Sequence, residues 1–66
     1  GNIFVTDPEE FRVLEFSTNG AFIRTWGEYG FGAVNFALAA AIAVDAEGHV
    51  WVSDSANNRL MRFTIP

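Results

Sequence analysis

The sequence predicts an all-β chain built from short antiparallel strands, and three observations predict it. The chain repeats itself. Displaced by 47 positions, Gly1–Phe16 (GNIFVTDPEEFRVLEF) lies on Gly48–Phe63 (GHVWVSDSANNRLMRF) without a gap. Five of the sixteen pairs are identical: Gly1/Gly48, Val5/Val52, Asp7/Asp54, Arg12/Arg59 and Phe16/Phe63. Five more are close: Ile3/Val50, Phe4/Trp51, Thr6/Ser53, Val13/Leu60 and Leu14/Met61. Second, apolar runs of strand length are bounded by turn residues. Third, Asn19-Gly20 and Asp45-Ala46-Glu47-Gly48 read as hairpin turns between such runs. A repeat of 40 to 50 residues made of short strands points to propeller blades.

In order, the first run is Asn2–Thr6, with Ile3 and Val5 on one face. Apolar groups on both faces suit a strand stacked between sheets. Asp7-Pro8-Glu9-Glu10 is a corner, because proline cannot continue a central strand and aspartate favours turns. Phe11–Phe16 is the second run and Ala21–Trp26 the third, an outer and partly solvated strand. Gly27 to Asn35 is a glycine-punctuated connection. Phe36–Val44 is alanine-rich, so a helix from Val34 to Val44 competes with a strand over Ala40–Asp45. The closing Ala46-Glu47-Gly48 turn and the need for small side chains near a propeller axis favour the strand. Val50–Ser53 and Arg59–Thr64 are the fifth and sixth runs, separated by the polar corner Asp54–Asn58, and Pro66 ends the chain.

Composition bounds function. Sixty-six residues allow one small domain with a marginal core. There is no cysteine, so there is no disulfide and no thiolate metal site, and either redox compartment is compatible. A net charge of −4, from 4 basic and 8 acidic residues, lacks the basic footprint of nucleic-acid binding. No apolar run approaches the roughly 18 residues of a membrane span. A soluble setting is expected, extracellular or periplasmic ahead of cytoplasmic. The start at Gly rather than Met reads as a cleavage, an expression boundary or a fragment. Half the residues are hydrophobic and 15% aromatic, more than so small an interior can hold.

The most conspicuous polar group is Asp54, Asn57, Asn58 and Arg59. A carboxylate, two amides and a guanidinium at a loop have the chemistry to bind a ligand. They also suit a structural latch, in which Asp54 accepts hydrogen bonds from the corner backbone and pairs with Arg59 across the hairpin. Because Asp7/Arg12 repeats Asp54/Arg59, the latch is favoured, with Asp7, Arg12, Asp54, Asn58 and Arg59 as its members. His49 has no partner at metal spacing and aligns with Asn2, so it reads as a polar residue beside a turn. Glu9, Glu10 and Glu15 read as a solvated face. The glycines of 27–32 lack the Lys-Ser/Thr of a phosphate loop. Trp26, Trp51, Phe4, Phe22 and Phe31 read as packing groups. No catalytic, cofactor or metal residue is assigned, and no cofactor is expected.

The stretch AIAVDAEGHVWVSDSANNRLMRF resembles one NHL repeat, the blade unit of a family of six-bladed β-propellers. Ile42-Ala43-Val44-Asp45, Gly48, Val50, Val52, Asp54, Asn57-Asn58-Arg59 and Phe63 carry the resemblance. Thr25-Trp26-Gly27, Gly30-Phe31-Gly32 and Asn35-Phe36 resemble the link between successive blades. The chain departs from the family pattern at Ala39 and Ala41, where Pro and Gly are usual. It also departs at Glu10-Phe11, the counterpart of Asn57-Asn58. The resemblance implies strands B, C and D of one blade (1–27), a linker (28–39), and strands A, B and C of the next (40–66).

It further implies a non-catalytic platform for protein interaction and assembly, with Glu9, Glu10, Ser55 and Asn57 in the candidate contact loops. The alternative it leaves is a fragment of a metal-dependent propeller lyase or hydrolase whose active site lies in other blades. RNA binding, known in some NHL domains, is disfavoured by charge. Open strand edges and uncovered blade faces call for partners. These are further blades of a longer chain, or identical copies closing into a ring or growing into a fibre, with another protein as a further candidate. Three copies give six three-stranded blades.

Overall fold

The computed structural model describes residues 2–65, so Gly1 of the Gly1/Gly48 pair and the terminal Pro66 lie outside the described residues. Among the described residues there are eight strands and no helix. They are β1 (Ile3–Asp7), β2 (Arg12–Phe16), β3 (Phe22–Trp26), β4 (Glu28–Tyr29), β5 (Asn35–Phe36), β6 (Ala39–Val44), β7 (His49–Asp54) and β8 (Arg59–Thr64). β1-β2-β3 and β6-β7-β8 form two antiparallel sheets, and β4 pairs with β5 in parallel. Antiparallel sheets of short strands are the fold class that the sequence predicts, and they are consistent with propeller blades. The helix weighed over Val34 to Val44 does not form; β5 and β6 occupy that stretch. The β4–β5 pair was not foreseen.

The sequence repeat is a repeat of geometry. Asp7 pairs with Arg12, Val5 with Leu14 and Ile3 with Phe16. Forty-seven residues later, Asp54 pairs with Arg59, Val52 with Met61 and Val50 with Phe63, in the same register. Both corners close with the same backbone bond, Glu10 N–H to the Asp7 carbonyl and Asn57 N–H to the Asp54 carbonyl. Both then pass through a left-handed residue, Phe11 at φ 57° and Asn58 at φ 52°. Asparagine tolerates that conformation, whereas a bulky aromatic residue rarely adopts it. The two hairpin turns also match: Gly20 N–H bonds to the Ser17 carbonyl and Gly48 N–H to the Asp45 carbonyl, each glycine at positive φ.

Residues opposite one another in an antiparallel pair share a face. Phe4, Thr6, Val13, Glu15 and Trp26 therefore line one face of the first sheet. They pack against the face of the second sheet that carries Ile42, Val50, Val52, Met61 and Phe63. Val13, Phe36, Ala39, Val50, Val52 and Met61 are the buried centre of this contact. Aromatic rings continue it outward, with Trp26 and Phe63 at 5.5 Å and Phe36 and Phe63 at 5.8 Å between centroids. Glu15 also lies inside, only 3% exposed, which corrects its assignment to a solvated face. Its carboxylate accepts a 2.7 Å bond from Asn2 and sits 2.9 Å from Arg24 Nε. The guanidinium approaches Oε1 off-axis, so that contact is ionic rather than a directed hydrogen bond. Glu9 and Glu10 are exposed.

Candidate functional site

The corner after β7 carries the densest polar network. Asp54 is fully buried. Its carboxylate accepts backbone N–H bonds from Ala37 (3.0 Å) and Leu38 (2.8 Å) and one from the Asn57 amide (2.8 Å). Arg59 adds a longer contact at 3.4 Å. The backbone donors thus belong to the linker before β6, not to the corner itself as the sequence reading has it. Arg59 reaches the same linker, donating to the carbonyls of Phe31 (2.8 Å) and Asn35 (2.6 Å). Asn57, expected in a contact loop, is half-buried in this network and also donates to the Gly30 carbonyl at 3.1 Å. Asn58 is exposed and contributes its left-handed backbone. Ser55 is exposed, and its backbone N–H bonds to the Leu38 carbonyl.

The first corner is a reduced version. Asp7 Oδ2 accepts from Arg12 Nε at 3.1 Å, with both side chains partly exposed. Among the described residues nothing stands in for the Ala37 and Leu38 N–H groups. What the two corners share is a carboxylate–guanidinium pair. What only the second has is a clamp between linker and sheet.

A second cluster sits at the tip of the β6–β7 hairpin. Asp45 Oδ1 accepts the N–H groups of Glu47 (3.0 Å) and His49 (2.9 Å). Oδ2 accepts the Trp51 indole N–H at 2.8 Å and lies 3.3 Å from His49 Nδ1. One donor atom from each of Asp45, Glu47 and His49 falls within 4.8 Å of the other two. His49 therefore does have acidic partners, which a reading of the sequence for metal spacing passed over. Across the sheet, Arg62 lies over the Trp51 ring at 5.7 Å.

Both Asp54 and Asp45 are held acidic. For Asp54, burial pushes the carboxyl up, but the N–H groups of Leu38 and Ala37, the Asn57 amide and the Arg59 charge together bring it below the ordinary 3.8. For Asp45 the Trp51 indole bond is the largest influence, and the carboxyl drops to about 2. The unfolded chain therefore takes up these protons first as pH falls. The associated stability is complete above 3.8 and is lost as pH drops through the folded values, about 2 for Asp45. Near-ultraviolet circular dichroism combined with urea is expected to show a falling unfolding midpoint below that upper limit. An unchanged midpoint from neutral pH to about pH 2.5 would contradict this account of the two carboxylates.

The pattern that defines the NHL repeat matches residues 36–63. That stretch is similar to an NHL repeat. The matched stretch runs from Phe36 through β6, β7 and β8, so it takes in Asp54, Asn57 and Arg59 together with the linker N–H groups that Asp54 binds. The chain is also similar to human NHL repeat-containing protein 3, with 29% identity over 66 residues, 96% of this chain and 19% of that protein. This chain spans less than a fifth of that relative's length.

Proposed function

We propose that this chain is a non-catalytic NHL-type blade segment that stacks on further blades or on identical copies and serves as a scaffold for protein interaction and assembly. One observation carries the reading. Residues that are equivalent in the repeat are buried by the neighbouring sheet in one copy and bare in the other. Val50 and Val52 are 0% exposed, while their counterparts Ile3 and Val5 are 48% and 42% exposed. Val13 is 0% exposed, while its counterpart Leu60 is 65% exposed. The contact between the two sheets is thus half used: each sheet has one face engaged and the complementary face open.

The open faces differ in shape in a way that suits head-to-tail stacking. The first sheet presents Ile3, Phe16 and Phe22 in one row, with Phe22 57% exposed. The second presents a shallow hollow of about 140 Å³ where Ala41, Ala43 and Ser53 lie between Trp51 and Leu60. Protruding side chains on one face and small ones on the other give a heterologous contact, which closes into a ring or extends as a fibre.

Light scattering of the chain at tens of micromolar is expected to give a mass above 7.3 kDa. Val5→Asp blocks one open face and Leu60→Asp the other, so each variant alone is expected to remain monomeric. Mixed in equal amounts they are expected to form a dimer and stop there, because each retains the face that the other lacks. A folded wild-type monomer at that concentration would overturn the assembly of identical copies. Self-association that neither substitution weakens would overturn the stacking geometry.

A further inference from the structure

We propose that the tip of the β6–β7 hairpin is a binding site for a divalent transition-metal ion of the zinc class, with Asp45, Glu47 and His49 as its protein ligands. The three ligands lie on the hairpin tip, which meets the open face of the second sheet only through Trp51, and the site does not rest on the stacking reading. Its donors are one imidazole nitrogen and two carboxylates, the mixed nitrogen–oxygen set that zinc and cobalt accept. Calcium and magnesium prefer oxygen alone.

The geometry supports one ion shared by these donors. His49 Nδ1 and Asp45 Oδ2 are 3.3 Å apart. Two ligands each ~2.0–2.1 Å from one ion at tetrahedral angles are separated by about 3.3–3.4 Å. The pair thus already has the spacing of neighbouring ligands. The donor of Glu47 lies within 4.8 Å of both, close enough for a rotation of its exposed side chain to complete a third position. Three protein ligands leave the fourth position of a tetrahedral ion to water.

The lone pairs of Asp45 leave room for the ion. A carboxylate has about four acceptor positions. Glu47 N–H and His49 N–H occupy two on Oδ1, and the Trp51 indole occupies one on Oδ2. The fourth, on Oδ2, faces His49 Nδ1. The ion would sit between these two atoms. The Trp51 bond then plays the part that outer hydrogen bonds play at metal sites, fixing the direction of the ligating carboxylate. Gly48 at φ 85° and the Asp45 N–H to His49 carbonyl bond of 3.0 Å hold the tip in shape without the ion.

Cobalt(II) is the probe, because its visible absorption reports tetrahedral coordination and it quenches a nearby indole. Titration of the 66-residue chain with Co²⁺ is expected to give one saturable site with tetrahedral-type bands and loss of Trp51 emission, reversed by Zn²⁺. His49→Gln and Glu47→Gln are each expected to weaken binding more than about tenfold while circular dichroism stays unchanged, since both side chains sit on a partly or fully exposed turn. Imidazole nitrogen shifts are expected to place Zn²⁺ on Nδ1. Binding that the His49→Gln/Glu47→Gln double variant retains at wild-type strength, or a Zn²⁺ shift on Nε2 alone, would overturn the site. So would Co²⁺ bands of octahedral type, or no saturation below millimolar ion. Should a glutamine variant lose its fold, the nitrogen shifts of the wild-type chain decide the matter.

Discussion

Asp54→Ala is expected to remove a large share of the chain's stability, whereas Asp7→Ala is expected to be mild. The two aspartates occupy equivalent positions in the repeat and each faces an arginine five residues on. Their surroundings differ. Asp54 is fully buried and is the acceptor for two linker N–H groups and the Asn57 amide. Truncation strands those donors and leaves the Arg59 charge without its carboxylate. Breaking a buried charged network in this way costs about 3–5 kcal/mol. A chain of this length has roughly 3–10 kcal/mol of stability in total. Asp7 and Arg12 are both partly exposed to solvent, and such pairs contribute about 0–1 kcal/mol. Asp54→Asn keeps one oxygen acceptor and is expected to fall between the two. Urea unfolding curves for the three variants test the ordering. Equal losses from Asp54→Ala and Asp7→Ala would mean that the linker N–H bonds contribute nothing.

That difference also marks where the sequence stops being informative. Six of the eight strands were legible, because alternation and turn residues are local signals. The shared register of the two copies follows from corners of equal length. The partners of Asp54 were not legible: Ala37 and Leu38 act through backbone N–H groups 17 and 16 residues away, and no side-chain pattern announces a backbone donor. Strands β4 and β5 are two residues each, too short for any periodicity to show. Glu15 was misplaced because a glutamate in an alternating run looks like the solvated side. Its compensation by Arg24 comes from the neighbouring strand, and by Asn2 from 13 residues earlier. Asp45, Glu47 and His49 were in plain view at alternate positions. The tight turn through Gly48, at φ 85°, brings their donor atoms together.

Gly27→Ala is expected to be the most damaging glycine substitution among the described residues, because two independent costs meet there. Gly27 has φ 113°, a conformation that L side chains rarely adopt, and holding a residue in such a region costs about 1–3 kcal/mol. Its position is also closed. A Cβ would lie 2.6 Å from the Phe36 ring and 2.7 Å from the Phe11 carbonyl oxygen. Neither neighbour can give way easily. Phe36 is fully buried against Phe63, and Phe11 is itself held in the left-handed region. Overfilling a packed site adds about 1–3 kcal/mol, for a combined loss of roughly 2–6 kcal/mol. Gly20 and Gly48 provide the control. Both have positive φ, at 90° and 85°, but a Cβ on either meets nothing within 4 Å. Alanine there carries the backbone cost alone. In urea titrations Gly27→Ala is therefore expected to lose at least as much again as Gly20→Ala or Gly48→Ala. If all three fall together, the closure of Phe36 and Phe11 over Gly27 is not what holds the linker against the first sheet. If Gly27→Ala alone collapses, the joint between the two sheets depends on the absence of one methyl group.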